Sequence, residues 1–312
     1  MTSTFHTGSR RHVAGAAAAL ALSAAALVAA APGAMAAETK PVRFILVGDS
    51  TMASNSGYGD ALCARISRGD TCINLARGGR SSGSFRAEGR WDEVQGLLRG
   101  SAAYRATYVL IQFGHNDQPG KPGRSTDLAT EFPANMARYA QEVKALGGVP
   151  VLVTPLTRRT FKDGALENNL QPWADVVRKV AAQEGAPLLD LNARSYAAVQ
   201  AMGQDEADTL AAAPRPANYM APAVLPGSAP AAGAAGAAGA AGAATTSATT
   251  SAAISAATSA TAAAEPQGAP KSAFDRTHLG AKGAAYFARM VEDEMKAVIP
   301  AVAREFRAEG QQ

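Results

Sequence analysis

Ser50 ends a short apolar run, in Gly48-Asp49-Ser50, and is the residue best placed for nucleophilic chemistry. A serine hydroxyl attacks poorly unless a base takes its proton and a third group orients that base. The chain has 4 histidines, His6, His12, His115 and His278. The first two fall in the expected N-terminal leader, which leaves His115 and His278 as the histidine candidates for such a base. His278 follows Asp275 in Phe274-Asp275-Arg276-Thr277-His278-Leu279-Gly280. In a turn, that separation lets the carboxylate hold one ring nitrogen while the other faces a hydroxyl, as Ser-His-Asp acyl transfer requires. The tetrahedral intermediate carries an oxyanion, and removing one donor aimed at it costs on the order of 3 kcal/mol. Gly79 offers a backbone N–H unshielded by a side chain, Asn116 a side-chain amide, and Ser50 its own N–H. Each residue alone has an ordinary structural reading: Gly-Asp-Ser as a helix cap, Gly78-Gly79 as a turn, Asn116 as a partner for local backbone, Asp275 as a cap.

The elements that must position these groups alternate. Val42 to Val47, Thr71 to Leu75, Thr107 to Phe113, Val149 to Thr154 and Pro187 to Leu191 are short apolar, β-rich runs that read as buried strands. Helical spacing covers Tyr58 to Ile66, Glu131 to Leu146, about Leu170 to Glu184, and Lys282 to Val298. This order argues for an α/β fold with a mostly parallel sheet of about five strands and helices on both faces. Ligands bind beyond the carboxyl ends of the strands in such sheets, where Ser50, Gly79 and Asn116 all fall. A helix directly after the Ser50 turn is expected to add a positive dipole end there.

At 312 residues, with hydrophobic side chains near half of the total, one catalytic domain is the default. Arg10 and Arg11, the apolar run Val13 to Ala31 and Ala34-Met35-Ala36 read as a signal peptide over residues 1–36, cleaved near Ala36. The catalytic domain then covers 37–312, in the periplasm or secreted, and Arg10-Arg11 leaves the export route open. Formal charge is +4, and +2 once the two leader arginines are removed. That is too near neutral for a nucleic acid or anionic membrane partner. Cys63 and Cys72 are the only cysteines, and an exported chain meets an oxidising compartment, so a disulfide between them is expected. Neither a metal nor an organic cofactor is expected. From about 211 to 271 the sequence turns to Ala, Gly, Ser, Thr and Pro. With so little large apolar surface it reads as a disordered insertion inside the domain, because candidate residues lie on both sides of it.

Gly48-Asp49-Ser50-Thr51, the Gly79 block, Gly114-His115-Asn116-Asp117 and Asp275-x-x-His278 occur in the order of the SGNH (GDSL) hydrolases, which the chain resembles. The likeness is closest to rhamnogalacturonan acetylesterases. It rests on Gly78-Gly79-Arg80-Ser81-Ser82, Glu88-Gly89-Arg90-Trp91-Asp92, Ile111-Gln112-Phe113-Gly114-His115-Asn116-Asp117-Gln118 and Thr154-Pro155-Leu156-Thr157-Arg158-Arg159. It implies a flavodoxin-like three-layer α/β/α fold and Ser50 as nucleophile with Asp275 and His278. It also implies an oxyanion hole from Ser50, Gly79 and Asn116, and an acetylated plant cell-wall polysaccharide or oligosaccharide as substrate. The low-complexity insertion departs from the family pattern and bears on the groove near His278. His115 is read as positioning its loop and Asn116. Arg80, Arg90, Arg158 and Arg159 could face an acidic sugar, but bonding inside the protein explains them equally well.

The expected reaction is deacetylation of a pectic polysaccharide through an acyl-enzyme. The alternatives are an esterase for acetylated xylan, small lipids or thioesters, and a carbohydrate-binding protein that keeps the fold without turnover.

Overall fold

In the computed structural model of the chain, residues 40–217 and 274–308 are described. The expected leader with its cleavage site and most of the expected insertion lie outside them. The central sheet is built on β1 (Val42–Gly48), with β2 (Thr71–Asn74) on one side and β3 (Ala106–Gln112) then β4 (Val149–Val153) on the other. A small antiparallel hairpin, β5 (Phe161–Lys162) and β6 (Ala165–Leu166), stands outside this sheet. β7 (Leu188–Leu189) completes it, giving five parallel strands in the order β2-β1-β3-β4-β7.

The strands read as unbroken apolar runs because successive side chains enter opposite cores. Phe44, Leu46, Leu110, Val151 and Val153 pack on one face beneath α1 (Gly59–Cys63), α6 (Leu191–Asp208) and α7 (Ala281–Val298). Ile45, Val47, Val109, Ile111 and Leu152 pack on the other, beneath α2 (Ser82–Ala87), α3 (Arg90–Arg99), α4 (Glu131–Ala145) and α5 (Gln171–Glu184). The three-layer α/β/α arrangement is therefore present. The sequence reading did not anticipate α2, α3 and α6. The first two are short and interrupted by Gly89. The third carries mostly alanine as its apolar residue and bends at Gly203, so its periodicity has little contrast.

Register sets the site. Gly48 lies opposite Gln112, and Leu46 opposite both Asn74 and Leu110, so the loops after β1, β2 and β3 leave at one rim. A Cβ on Gly48 would lie 2.8 Å from the Gln112 carbonyl oxygen, so only glycine permits this approach just before Ser50. Cys63, at the end of α1, is bonded to Cys72 in β2, as expected. Among the described residues no helix is long and apolar enough to cross a membrane.

Ala211 and Ala212, assigned by composition to the insertion, are paired backbone instead. Ala211 bridges to Leu279, the Ala212 N–H donates to the His278 carbonyl (3.3 Å), and the Gly280 N–H donates to that of Leu210 (3.0 Å). Composition assigned them wrongly because an alanine supplies a backbone partner as well as any residue does.

Candidate active site

Ser50 emerges from β1 in a turn held by its predecessor. Asp49 is fully buried, and its Oδ1 accepts from the Thr51 N–H (2.9 Å) and hydroxyl (2.8 Å). The Met52 and Ala53 N–H groups close on the Asp49 carbonyl, but the coil stops after that turn and α1 begins only at Gly59. The expected helix dipole directly behind Ser50 is therefore absent; Asn55, at a φ of 66°, and Gly57 break the helix before it can grow. Two bonds unforeseen in the sequence fix the turn instead: the Ser56 hydroxyl donates to the Ser50 carbonyl (2.7 Å), and the Ser56 carbonyl accepts from the Leu279 N–H (2.9 Å). The Ser50 turn is thereby tied to the turn of His278.

In that second turn Asp275 uses both oxygens. Oδ1 accepts from the N–H groups of Thr277 (2.8 Å) and His278 (3.0 Å), and Oδ2 lies 2.7 Å from His278 Nδ1. His278 Nε2 is 2.8 Å from Ser50 Oγ, across 228 residues of sequence. Burial pushes the Asp275 carboxyl upward, but the hydrogen bond and charge of His278 and the two backbone amides outweigh it and hold it well below the usual range. The carboxylate is thus ionised and oriented, and the imidazole presents its free nitrogen to the hydroxyl.

The other rim loops converge on the same serine. A Cβ on Gly78 would lie 3.7 Å from Ser50 Cβ, and Gly79 has a φ of +76°, which favours glycine. The Asn116 amide donates to the Arg80 carbonyl (3.1 Å), joining the β3 loop to the Gly78-Gly79 loop and leaving its second N–H uncommitted by that bond. Asp117, the last residue of the Gly114-His115-Asn116-Asp117 block, is the hub of this rim. Its Oδ1 accepts from the Ser82 N–H (3.0 Å), the Ser82 hydroxyl (2.6 Å) and the Thr126 hydroxyl (2.9 Å), and its Oδ2 from the Gly114 N–H (3.0 Å). Burial pushes it up to about 6 in spite of these donors.

His115 is buried, and its Nδ1 faces Asp49 Oδ2 at 3.2 Å. Burial lowers its pKa against the pull of Asp49 and leaves it neutral, remote from the Ser50 hydroxyl in its bonding. Among the four arginines, Arg80 and Arg90 bind Glu88 at 3.0 and 2.8 Å. Arg158 donates to Asn169 (2.6 Å) and Gln118 (2.9 Å). Arg159, fully buried, donates to the carbonyls of Thr277 (3.4 Å) and His278 (2.7 Å), and its own N–H to that of Arg276 (3.0 Å). All four are engaged inside the protein. Among the described residues no group of three His, Cys, Asp or Glu side chains could hold a metal ion.

Rhamnogalacturonan acetylesterase RhgT of Bacillus subtilis is 33% identical to this chain over 179 residues, covering 55% of this chain and 74% of that protein. Probable rhamnogalacturonan acetylesterase YesY of the same organism is 29% identical over 171 residues, covering 53% and 76%. A crystal structure of the Bacillus subtilis protein YxiM superimposes with a TM-score of 0.52 at 21% identity, covering 83% of this chain and 57% of that one, a likeness of fold. The GDSL-like lipase/acylhydrolase family matches residues 46–222, more than half of the chain, including Ser50, Gly79 and Asn116 and ending before Asp275. With that match on a sheet whose rim gathers these loops, the chain belongs to the GDSL-like lipase/acylhydrolase family of serine ester hydrolases.

Proposed function

We propose that the protein is an exported carbohydrate esterase that removes acetyl groups from pectic polysaccharide of the rhamnogalacturonan type. The observation that carries this reading is the continuous relay from Asp275 through His278 to the Ser50 hydroxyl, with contacts of 2.7 and 2.8 Å. The substrate class comes from the relatives: RhgT and YesY carry rhamnogalacturonan acetylesterase in their names. Export rests on the leader pattern in residues 1–36.

In this mechanism His278 Nε2 takes the Ser50 proton as Oγ attacks the acetyl carbonyl, and Asp275 stabilises the imidazolium that forms. The N–H groups of Ser50 and Gly79 and the Asn116 amide hold the oxyanion. His278 returns the proton to the departing sugar hydroxyl, and water then repeats the cycle on the acyl-enzyme to release acetate.

Acetate release from acetylated rhamnogalacturonan, acetylated xylan and longer acyl esters tests the substrate, and a preference for long chains overturns the polysaccharide reading. Ser50→Ala and His278→Ala test the relay with p-nitrophenyl acetate. Unchanged turnover in either variant removes these residues from the site.

A further inference from the structure

The arginines of the recognisable blocks are spent on internal contacts, so any cation that reads an acidic substrate must come from elsewhere. Arg124 is such a cation. Its Nη1 lies 3.4 Å from where a Cβ on Gly79 would stand, and Gly78, one residue earlier, lies against Ser50. The guanidinium therefore overhangs the backbone whose N–H is assigned to the oxyanion. It is half-buried, and none of the described residues forms a hydrogen bond or ion pair with it. The nearest acid in sequence, Asp127, is turned to the start of α4, where its Oδ1 accepts from the N–H groups of Ala129 (3.0 Å) and Thr130 (2.8 Å). Asp49, Asp117 and Asp275, the other acids of the rim, are all committed to the bonds already described. Arg77, exposed at the head of the Gly78-Gly79 loop, adds a second positive charge on the same side.

The loop that carries Arg124 is also fixed in advance. The N–H groups of Arg124 and Ser125 donate to the Lys121 carbonyl (both 2.9 Å), the Ser125 hydroxyl to that of Gln118 (2.8 Å), and Thr126 is bound to Asp117 through both backbone and hydroxyl. This loop continues the one that bears Asn116. A ligand thus meets a guanidinium carried on a fixed backbone, without first ordering the loop that bears it.

We propose that Arg124 is the specificity-determining residue of this site, binding the carboxylate of a uronic acid unit of the polysaccharide chain. The proposal rests on the acetylesterase reading and narrows it to anionic polysaccharide. A guanidinium presents a planar fork that matches a carboxylate through two parallel N–H···O bonds, whereas neutral xylan offers it only hydroxyls.

The test compares the full chain with Arg124→Ala and Arg124→Lys on acetylated rhamnogalacturonan oligosaccharides, on the same oligosaccharides with their carboxyl groups reduced to alcohols, and on p-nitrophenyl acetate. For Arg124→Ala, kcat/KM on the acidic oligosaccharide should fall about 10- to 100-fold more than on p-nitrophenyl acetate, mostly through KM. Arg124→Lys should recover part of this. Carboxyl reduction should cost the parent the same factor and leave Arg124→Ala indifferent. A parent that ignores carboxyl reduction, or a variant that loses all three substrates equally, overturns the proposal while the esterase reading stands. Titration calorimetry of deacetylated acidic oligosaccharide on Ser50→Ala, with and without Arg124→Ala, decides the matter even without turnover: equal affinities overturn the role of Arg124.

Discussion

Asp275→Asn separates orientation from proton supply at the candidate triad. In the parent, Oδ1 accepts two backbone N–H bonds and Oδ2 faces His278 Nδ1. Asparagine can keep the turn only by placing its oxygen toward those two donors, since an NH2 there would meet two N–H groups. Its NH2 then faces Nδ1, 2.7 Å from the position of the lost oxygen, and Nδ1 must become an acceptor. The ring proton moves to Nε2, 2.8 Å from Ser50 Oγ, so the imidazole donates to the hydroxyl that the proposed mechanism has it deprotonate. A wrong tautomer of this kind lowers kcat by about 10⁴, or about 5 kcal/mol of barrier. The turn keeps its hydrogen bonds, so the variant should remain folded. The stability profile follows from the depressed Asp275 pKa. A carboxyl held low stabilises the fold above its unfolded value of 3.8, and that contribution is lost as pH falls toward its folded value. The parent should therefore lose stability on acidification below about pH 4 and the asparagine variant less so. The assay is kcat on p-nitrophenyl acetate from mildly acidic to alkaline pH, with urea denaturation of both proteins. A folded Asp275→Asn that keeps kcat within about tenfold of the parent refutes the assignment of Asp275.

Asp117, pushed up to about 6 by burial, takes a proton in the folded state before it would at 3.8 in the unfolded chain. It should add roughly 2–3 kcal/mol of stability as pH falls from about 6 to about 4, a gain absent from Asp117→Asn in paired urea titrations at the two pH values. Asp208→Asn strips carboxylate charge from buried Arg276, bound at 2.8 and 3.0 Å. The loss should be about 3–5 kcal/mol in chemical denaturation, with kcat falling because Arg276 lies between Asp275 and Thr277. The Cys63–Cys72 bond closes a loop of sequence separation 9, so the double alanine variant should lose about 2–3 kcal/mol in denaturant, matching the effect of reductant on the parent.

The strands were legible because a sheet covered on both faces leaves no polar alternation to confuse the pattern: Phe44 and Ile45 are both buried, in different cores. α4, α5 and α7 showed their period plainly, whereas α6 spreads small residues around its circumference and α2 has only six residues in which to show a period. At the site, Asp275 and His278 could be paired from local spacing, and Ser50 from its place at a strand end. The supports could not. Ser56, Asp117 and Arg159 act through partners far away in sequence, Arg159 through the His278 carbonyl 119 residues on, and one chain carries no local mark of such bonds. The same limit left the four arginines open between substrate and internal roles until their acceptors were seen.

These long-range supports also account for how a turn on the far side of the low-complexity stretch is set against Ser50. The turn of Asp275 and His278 follows the low-complexity stretch, yet its place is set by residues that precede it. Ser56 holds the Leu279 N–H, Arg159 three backbone groups from Arg276 to His278, Asp208 the Arg276 guanidinium, and Leu210 and Ala212 the backbone on either side of Leu279. Each of these anchors lies on an element already packed against the sheet or on its rim. What fixes the imidazole against the hydroxyl is therefore this clamp, built from residues between Ser56 and Ala212 that grip the backbone and the Arg276 side chain over Arg276 to Gly280.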